Sequence, residues 1–289
     1  MAVLTSKGKR SFTYSIIILG VISIFVLGYL FYFIPNNKKT LQNNGFLILQ
    51  TIATNISNAT DGRATFYANI FESALERDDN VRAQAIDTLL RENKVDAKFK
   101  FFTKHLKGKN DTIETESRIE DARLIVSVWN RPRTDSAVFI EKIENFLEPF
   151  IATQKSELFS NYLFGKLGPG KSELIYKDYE IPLRSDVGLD SLLPKLGDNY
   201  LAGTRELELQ DASVKMFYYP FQINEVQYII CGFVDSDNYQ DSIRKIPFYF
   251  VYPLAIIFLL LLISLPVLKF YIMTKFLNWR IIPLAGFGN

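Results

Sequence analysis

Residues 213–246 read SVKMFYYPFQINEVQYIICGFVDSDNYQDSIRKI. Two runs rich in Tyr, Phe, Ile and Val, residues 212–220 and 225–234, flank a Gln-Ile-Asn turn. Runs this short and this rich in β-branched and aromatic residues predict strands, and the short gap predicts an antiparallel hairpin. Strand side chains alternate between faces. Tyr218 therefore shares a face with Met216 and Pro220, and Tyr228 shares one with Ile230 and Gly232. Cys231 alternates with Ile229 and Phe233, which reads as a small buried hydrophobe. Asp235 ends the second strand, where its carboxylate is suited to capping the helix that follows, although it could also meet a ligand amine.

Upstream, Phe159–Leu167, Glu173–Tyr179 and Arg205–Leu209 read as further short strands. Short helix is expected around Leu189, Leu192, Leu193 and Leu196. Gly165–Ser172 matches the phosphate-cradling pattern G-x-x-x-x-G-K-[ST]. That chemistry needs a helix after the loop. ELIYKDYEIP follows instead, so a Gly-Pro-Gly hairpin turn is the better reading. Thr40–Asn93 is expected to be helical, with Ile48, Ile52, Ile56, Ala59, Phe66, Ile70 and Ala74 on one stripe. Gly62 marks a bend there and Asp78-Asp79-Asn80 a break. Residues 94–121 read as a polar insert, with His105 in a solvated basic helix face over Lys98–Lys109 and a loop at 107–111. Ala122–Trp129 is either a strand or a buried helix end, and Ser136–Ile151 returns to helical spacing.

The ends are different in kind. Tyr14–Ile34 and Phe248–Leu268 are uncharged runs of 21 residues each, and about 20 helical residues cross a hydrocarbon core. The first run exceeds a signal-peptide core, and no small-residue cleavage site follows it. All 31 acidic residues lie between the runs, and the charges outside them are all basic: Lys7, Lys9, Arg10, Lys269, Lys275 and Arg280. Short basic tails stay cytoplasmic. The expected layout is a cytoplasmic tail (1–13), a first transmembrane helix (14–34), an extracytoplasmic domain (35–247), a second transmembrane helix (248–268) and a cytoplasmic tail (269–289). The localisation is then the inner (plasma) membrane, with the main domain periplasmic. The tail carries no catalytic or transmitter segment, so a separate signalling partner or a longer chain is expected to read any signal.

Composition excludes several functions. A net charge of +2 gives no basic field for nucleic acid. One cysteine and one histidine exclude a disulfide framework and the usual His/Cys zinc site, and leave no nucleophile–histidine system outside the charged surroundings of His105. No cofactor is expected.

The order span, long helix, polar insert, helix, antiparallel sheet, closing helix, span resembles the extracytoplasmic Cache sensor family of bacterial transmembrane receptors. Tyr219-Pro220, Asn224-Glu225, Gly232–Asp235 and Tyr239–Ile246 carry the likeness, and Phe159–Tyr176 looks like the family's first strands. The resemblance implies an α+β fold, with a long N-terminal helix and a PAS-like antiparallel sheet flanked by two transmembrane helices. It implies a sensory receptor module that binds a small solute; the residues offer no catalytic constellation, so no enzymatic role is expected. Tyr176, Arg184, Tyr218, Tyr228 and Asp235 are the candidate ligand-binding residues. The implied partners are the lipid bilayer, an unidentified small molecule and a second copy forming a homodimer along the long helix. The family's amino-acid-binding signature is not evident. An envelope scaffold or accessory subunit of a membrane complex is the alternative.

Overall fold

The computed structural model describes residues 19–20, 22–103, 112–131, 134–153, 158–168, 172–178, 189–192, 201–209, 212–245, 256 and 260. The chain divides into two compact units, Met1–Ile243 and Arg244–Asn289. Of the second, only Arg244, Lys245, Ile256 and Leu260 are described. Among the described residues no helix is long and apolar enough to cross a membrane. The run Phe248–Leu268 lies outside the described residues except at Ile256 and Leu260, and so does the start of Tyr14–Ile34; residues 22–34 are helical.

Helix α1, Ile34–Leu75, has 42 residues and is about 60 Å long at 1.5 Å per residue. A π-turn, Tyr29–Phe33, leads into it, with the Ile34 N–H donating to Tyr29 O. Pro35 accounts for the wide turn, because it has no N–H to offer the carbonyl one turn back. α1 buries Leu49, Ile52, Ala53, Ile56, Tyr67, Ile70, Phe71 and Ala74. The expected stripe is present but centred slightly to one side: Ile48, Ala59 and Phe66 are only half-buried. The helix runs unbroken through Gly62. It stops where expected, and a 3₁₀ turn at Asp79–Val81 leads into α2, Arg82–Glu92.

The described part of the polar insert is mostly strand. Ala97–Thr103 (β1), Ile113–Glu120 (β2), Arg123–Asn130 (β3) and Asp135–Lys142 (β4) form an antiparallel sheet in the order β1-β4-β3-β2. The Phe/Lys run at 97–103 alternates half-buried with exposed, as an edge strand does. The helical reading of Lys98–Lys109 is thereby corrected for its described part; His105 and residues 107–111 lie outside the described residues. Ser136–Ile151 is also corrected. Ala137, Phe139 and Glu141 point inward from β4, and helix α3, Ile143–Thr153, begins only at Ile143. Of Ala122–Trp129, all but the turn residue Ala122 is strand.

A second sheet comprises Asn161–Lys166 (β5), Glu173–Lys177 (β6), Gly203–Leu209 (β7), Ala212–Ile223 (β8) and Val226–Asp235 (β9), in the order β6-β5-β9-β8-β7. All its pairings are antiparallel. Leu189–Leu192 forms the short helix α4, and Ser236–Arg244 forms α5. The fold is α+β, as expected, but with two sheets on one long helix. β5 is followed by a strand, with Lys166 opposite Glu173, so Gly165–Ser172 is a hairpin connection and not a phosphate loop.

Both sheets pack on α1, and the five-stranded sheet is buried on both faces. Toward α1 lie Tyr162, Phe164, Phe217, Tyr228, Ile230 and Val234. On the other face lie Leu163, Met216, Tyr218, Ile229, Cys231 and Phe233, covered by Leu189 and Leu192 of α4. Gly45 lets the sheet come close, since a Cβ there would stand 2.8 Å from the Phe217 ring and 3.2 Å from Phe159.

The β8–β9 hairpin turns on Asn224 and Glu225, with φ of 46° and 66°, between the paired Ile223 and Val226. Two successive positive φ values suit a tight primed turn, in which the second position favours glycine. Glu225→Gly should therefore raise stability by about 1 kcal/mol, read as a higher urea midpoint with unchanged slope. Asn224 should not be changed in that test, because its Nδ2 donates to Ser117 O and Oγ of β2 at 3.0 and 2.7 Å and so ties the two sheets together.

Candidate functional site on the five-stranded sheet

The alternation that builds β8 and β9 separates the predicted site residues. Tyr228 points toward α1, stacked on Phe164 with ring centres 5.5 Å apart. Tyr218 points the opposite way, directly across from Cys231. The two tyrosines therefore cannot line one pocket. Tyr176, on β6, is half-buried at the edge of the α1-side core, and its hydroxyl donates to Asp178 Oδ1 at 2.8 Å. Asp235 is exposed; its Oδ1 accepts from the N–H groups of Asp237 and Asn238 at 2.9 and 3.0 Å, so it caps α5. Arg184 lies outside the described residues.

Electrostatics follow burial. Desolvation pushes the Tyr218 hydroxyl up, with Arg205 pulling it partly back. Burial also raises Tyr228, offset in part by a backbone hydrogen bond from Ile119. Burial raises Tyr176, and the Asp178 carboxylate adds to the shift. Cys231 is fully enclosed, and burial alone pushes its thiol far up, which suits a packing role and not a nucleophile.

The sequence reading missed Arg205. It stands opposite Met216, with Gly203 opposite Tyr218. Its Nη1 donates to Leu192 O, the last residue of α4, at 2.9 Å. The Tyr218 phenol lies against Gly203, where any side chain would collide with it. Tyr218 and Arg205 thus form a polar spot at the rim of a face otherwise lined by Leu163, Met216, Cys231 and Phe233. The signal lay in the alternation Arg205-Glu206-Leu207-Glu208: the position sharing a face with Leu207 is Arg205. Such a rim offers a phenol hydroxyl and a guanidinium to an anionic or hydroxylated group, while the apolar face beside it is closed by Leu189 and Leu192. Among the described residues, no cluster of His, Cys, Asp and Glu could hold a metal ion.

A second buried polar group joins α1 to the four-stranded sheet. Glu141 accepts from Arg63 Nη2 at 3.3 Å and from the Tyr67 hydroxyl at 3.1 Å. Burial raises the Glu141 carboxyl, while Arg63 and Tyr67 act to lower it. Tyr67 in turn stacks on Phe139 at 4.3 Å.

No family model matches the chain, and no curated protein matches it. Several solved structures do. The ligand-binding domain of the Pseudomonas aeruginosa amino-acid chemoreceptor PctB, in complex with L-Arg, is 14% identical; the match covers 69% of this chain and 97% of that one, with a TM-score of 0.47. The extracellular domain of a putative histidine kinase is 10% identical, covering 72% and 95%, with a TM-score of 0.46. The ligand-binding domain of the Pseudomonas fluorescens chemoreceptor CtaA, in complex with L-isoleucine, is 13% identical, covering 70% and 94%, with a TM-score of 0.41. Each of these neighbours is the ligand-binding or extracellular domain of a chemoreceptor or kinase.

Proposed function

We propose that the chain is a membrane-anchored sensory module with no catalytic role, binding a small solute on the face of the five-stranded sheet that carries Tyr218 and Arg205. One observation carries this reading. Asn37 Nδ2 donates to Ile243 O at 3.1 Å, pinning the start of α1 to the end of α5. Tyr14–Ile34 ends just before Asn37 and Phe248–Leu268 begins just after Ile243. A contact between Asn37 and Ile243, the positions next along the chain to the two uncharged runs, supports a pair of membrane anchors. The helical stretch before α1 supports this, since Ile22, Ile24, Val26, Leu27, Leu30 and Phe31 are all exposed there, and exposed apolar surface on this scale wants an apolar cover.

Signal passes by population shift. A solute that favours one placement of β8 and β9 over another shifts α5, which directly follows β9, against the start of α1. A solute that binds both placements equally transmits nothing. The domain then faces the periplasm, and a separate cytoplasmic or membrane partner, or a second copy of the chain, reads the movement.

The test is thermal-shift screening of the full chain in nanodiscs against small carboxylates and polyols. A solute at one hundred times its Kd should add about 2.7 kcal/mol, a rise of roughly 5–10 °C. Arg205→Ala should remove most of that rise. A library with no stabilising solute would sink the reading, as would stabilisation that ignores Arg205. The runner-up is a docking scaffold within a membrane complex. Close filling favours it: Leu163, Met216, Ile229, Cys231 and Phe233 are all 0–2% exposed. A stoichiometric partner surviving purification, together with no solute response, would select it.

A further inference from the structure

Helices α1 and α3 leave a cleft of about 320 Å³ between them, lined by Gly62, Arg63, Phe66, Asn145, Phe146 and Phe150 among others. That volume lies at the lower end of small-molecule sites. Two features of its lining point to a ligand. The first is Gly62. A glycine inside a helix costs about 1 kcal/mol relative to alanine. At Gly45 the closeness of Phe217 is the reason, but at Gly62 a Cβ would meet nothing within 4 Å. The space that a side chain at 62 would occupy is the cleft. The second is Arg63. Among the described residues its guanidinium makes one hydrogen bond, to Glu141. It stands 6.0 Å over the Phe66 ring, with its side chain 33% exposed. Its remaining N–H groups are available to an acceptor in the cleft.

We propose that this cleft is a second ligand site, separate from the Tyr218–Arg205 face, and that it takes a small aromatic carboxylate. The ring lies on the bare backbone at Gly62, between Phe66 and the edge-to-face pair Phe146 and Phe150, whose centres are 5.7 Å apart. The carboxylate meets Arg63 in a charge-assisted hydrogen bond, and the Asn145 amide supplies a further donor.

Saturation-transfer NMR on the full chain in nanodiscs tests this, with phenylacetate and indole-3-acetate as probes and phenylacetamide as the uncharged control. Both acids should bind, and the amide should bind at least tenfold more weakly. Gly62→Leu places a side chain in the cleft, its Cβ meeting nothing within 4 Å, and should weaken the acids at least tenfold while leaving the melting temperature unchanged or higher. Arg205→Ala should leave acid binding intact, so this site and the sheet face fail or survive independently. No transfer from either acid at millimolar concentration overturns the proposal, and so does binding that survives Gly62→Leu. If Gly62→Leu instead changes only the sedimentation of the chain, the bare backbone serves helix packing between copies and the proposal falls.

Discussion

Phe217→Ala is expected to cost about 3–5 kcal/mol and to lower the melting temperature by roughly 10 °C or more. Phe217 is fully buried. Its ring meets Phe46 of α1 at 5.6 Å, Phe159 at 5.3 Å and Tyr239 of α5 at 5.9 Å. One side chain thus joins the long helix, the sheet and the closing helix. Gly45 has no side chain to move into the vacated space, so the cavity collapses poorly and the cost sits high in its range. Phe221, half-buried nearer the hairpin, provides the comparison; its truncation should cost about 1–2 kcal/mol. Circular-dichroism melts of the full chain in micelles measure both. A Phe217→Ala cost below about 1 kcal/mol would mean that the junction is not a packed one.

Arg63→Met should cost about 2–4 kcal/mol near neutral pH, and the cost should shrink on acidification. Removing one member of a buried pair leaves the other charge uncompensated, which costs about 3–5 kcal/mol when both are enclosed. Arg63 is a third exposed, so solvent screens part of that loss. The pH dependence comes from Glu141. Burial holds its carboxyl above the usual carboxylate range, and Arg63 is the leading opposing influence. A carboxyl raised in the fold keeps its proton longer in the native state than in the unfolded chain. Its contribution to stability therefore grows as pH falls through the folded value, and is complete below the unfolded value of about 4.3. Without Arg63 the carboxyl rises further and protonates earlier. Melting temperatures of both proteins at pH 7.5 and 5 decide the matter: the gap should narrow at the lower pH. A gap that is constant or wider there would show that Arg63 acts through packing alone.

The five-stranded sheet was legible because each of its strands carries β-forming residues between turn signals. The Asn224-Glu225 hairpin needed only local chemistry. The four-stranded sheet was hidden by its composition. Lys98, Lys100, Glu114, Glu116, Arg118 and Glu120 give the polarity of an exposed insert, and the period-two alternation of Phe99 and Phe101 with lysine was the signal overlooked. Ser136–Ile151 failed for a related reason. Phe139, Ile143, Phe146 and Leu147 fit helical spacing, yet Ala137, Phe139 and Glu141 also fit a strand. At such short range only pairing with β3 and β1 decides between the two.

The sequence by itself determined the local periods. These set the long helix, the break at Asp78–Asn80, the hairpin, the cap at Asp235 and the uncharged runs at either end, because each depends on residues within a few positions of one another. The tertiary structure alone decided which groups meet. It set Tyr218 and Tyr228 on opposite faces of a sheet buried on both sides, brought Arg205 to Tyr218 and Arg63 to Glu141, and left a cleft beside Gly62. Periodicity tells which residues share a face of one element. What that face packs against is set by contacts between residues far apart in the chain, and no local pattern encodes them.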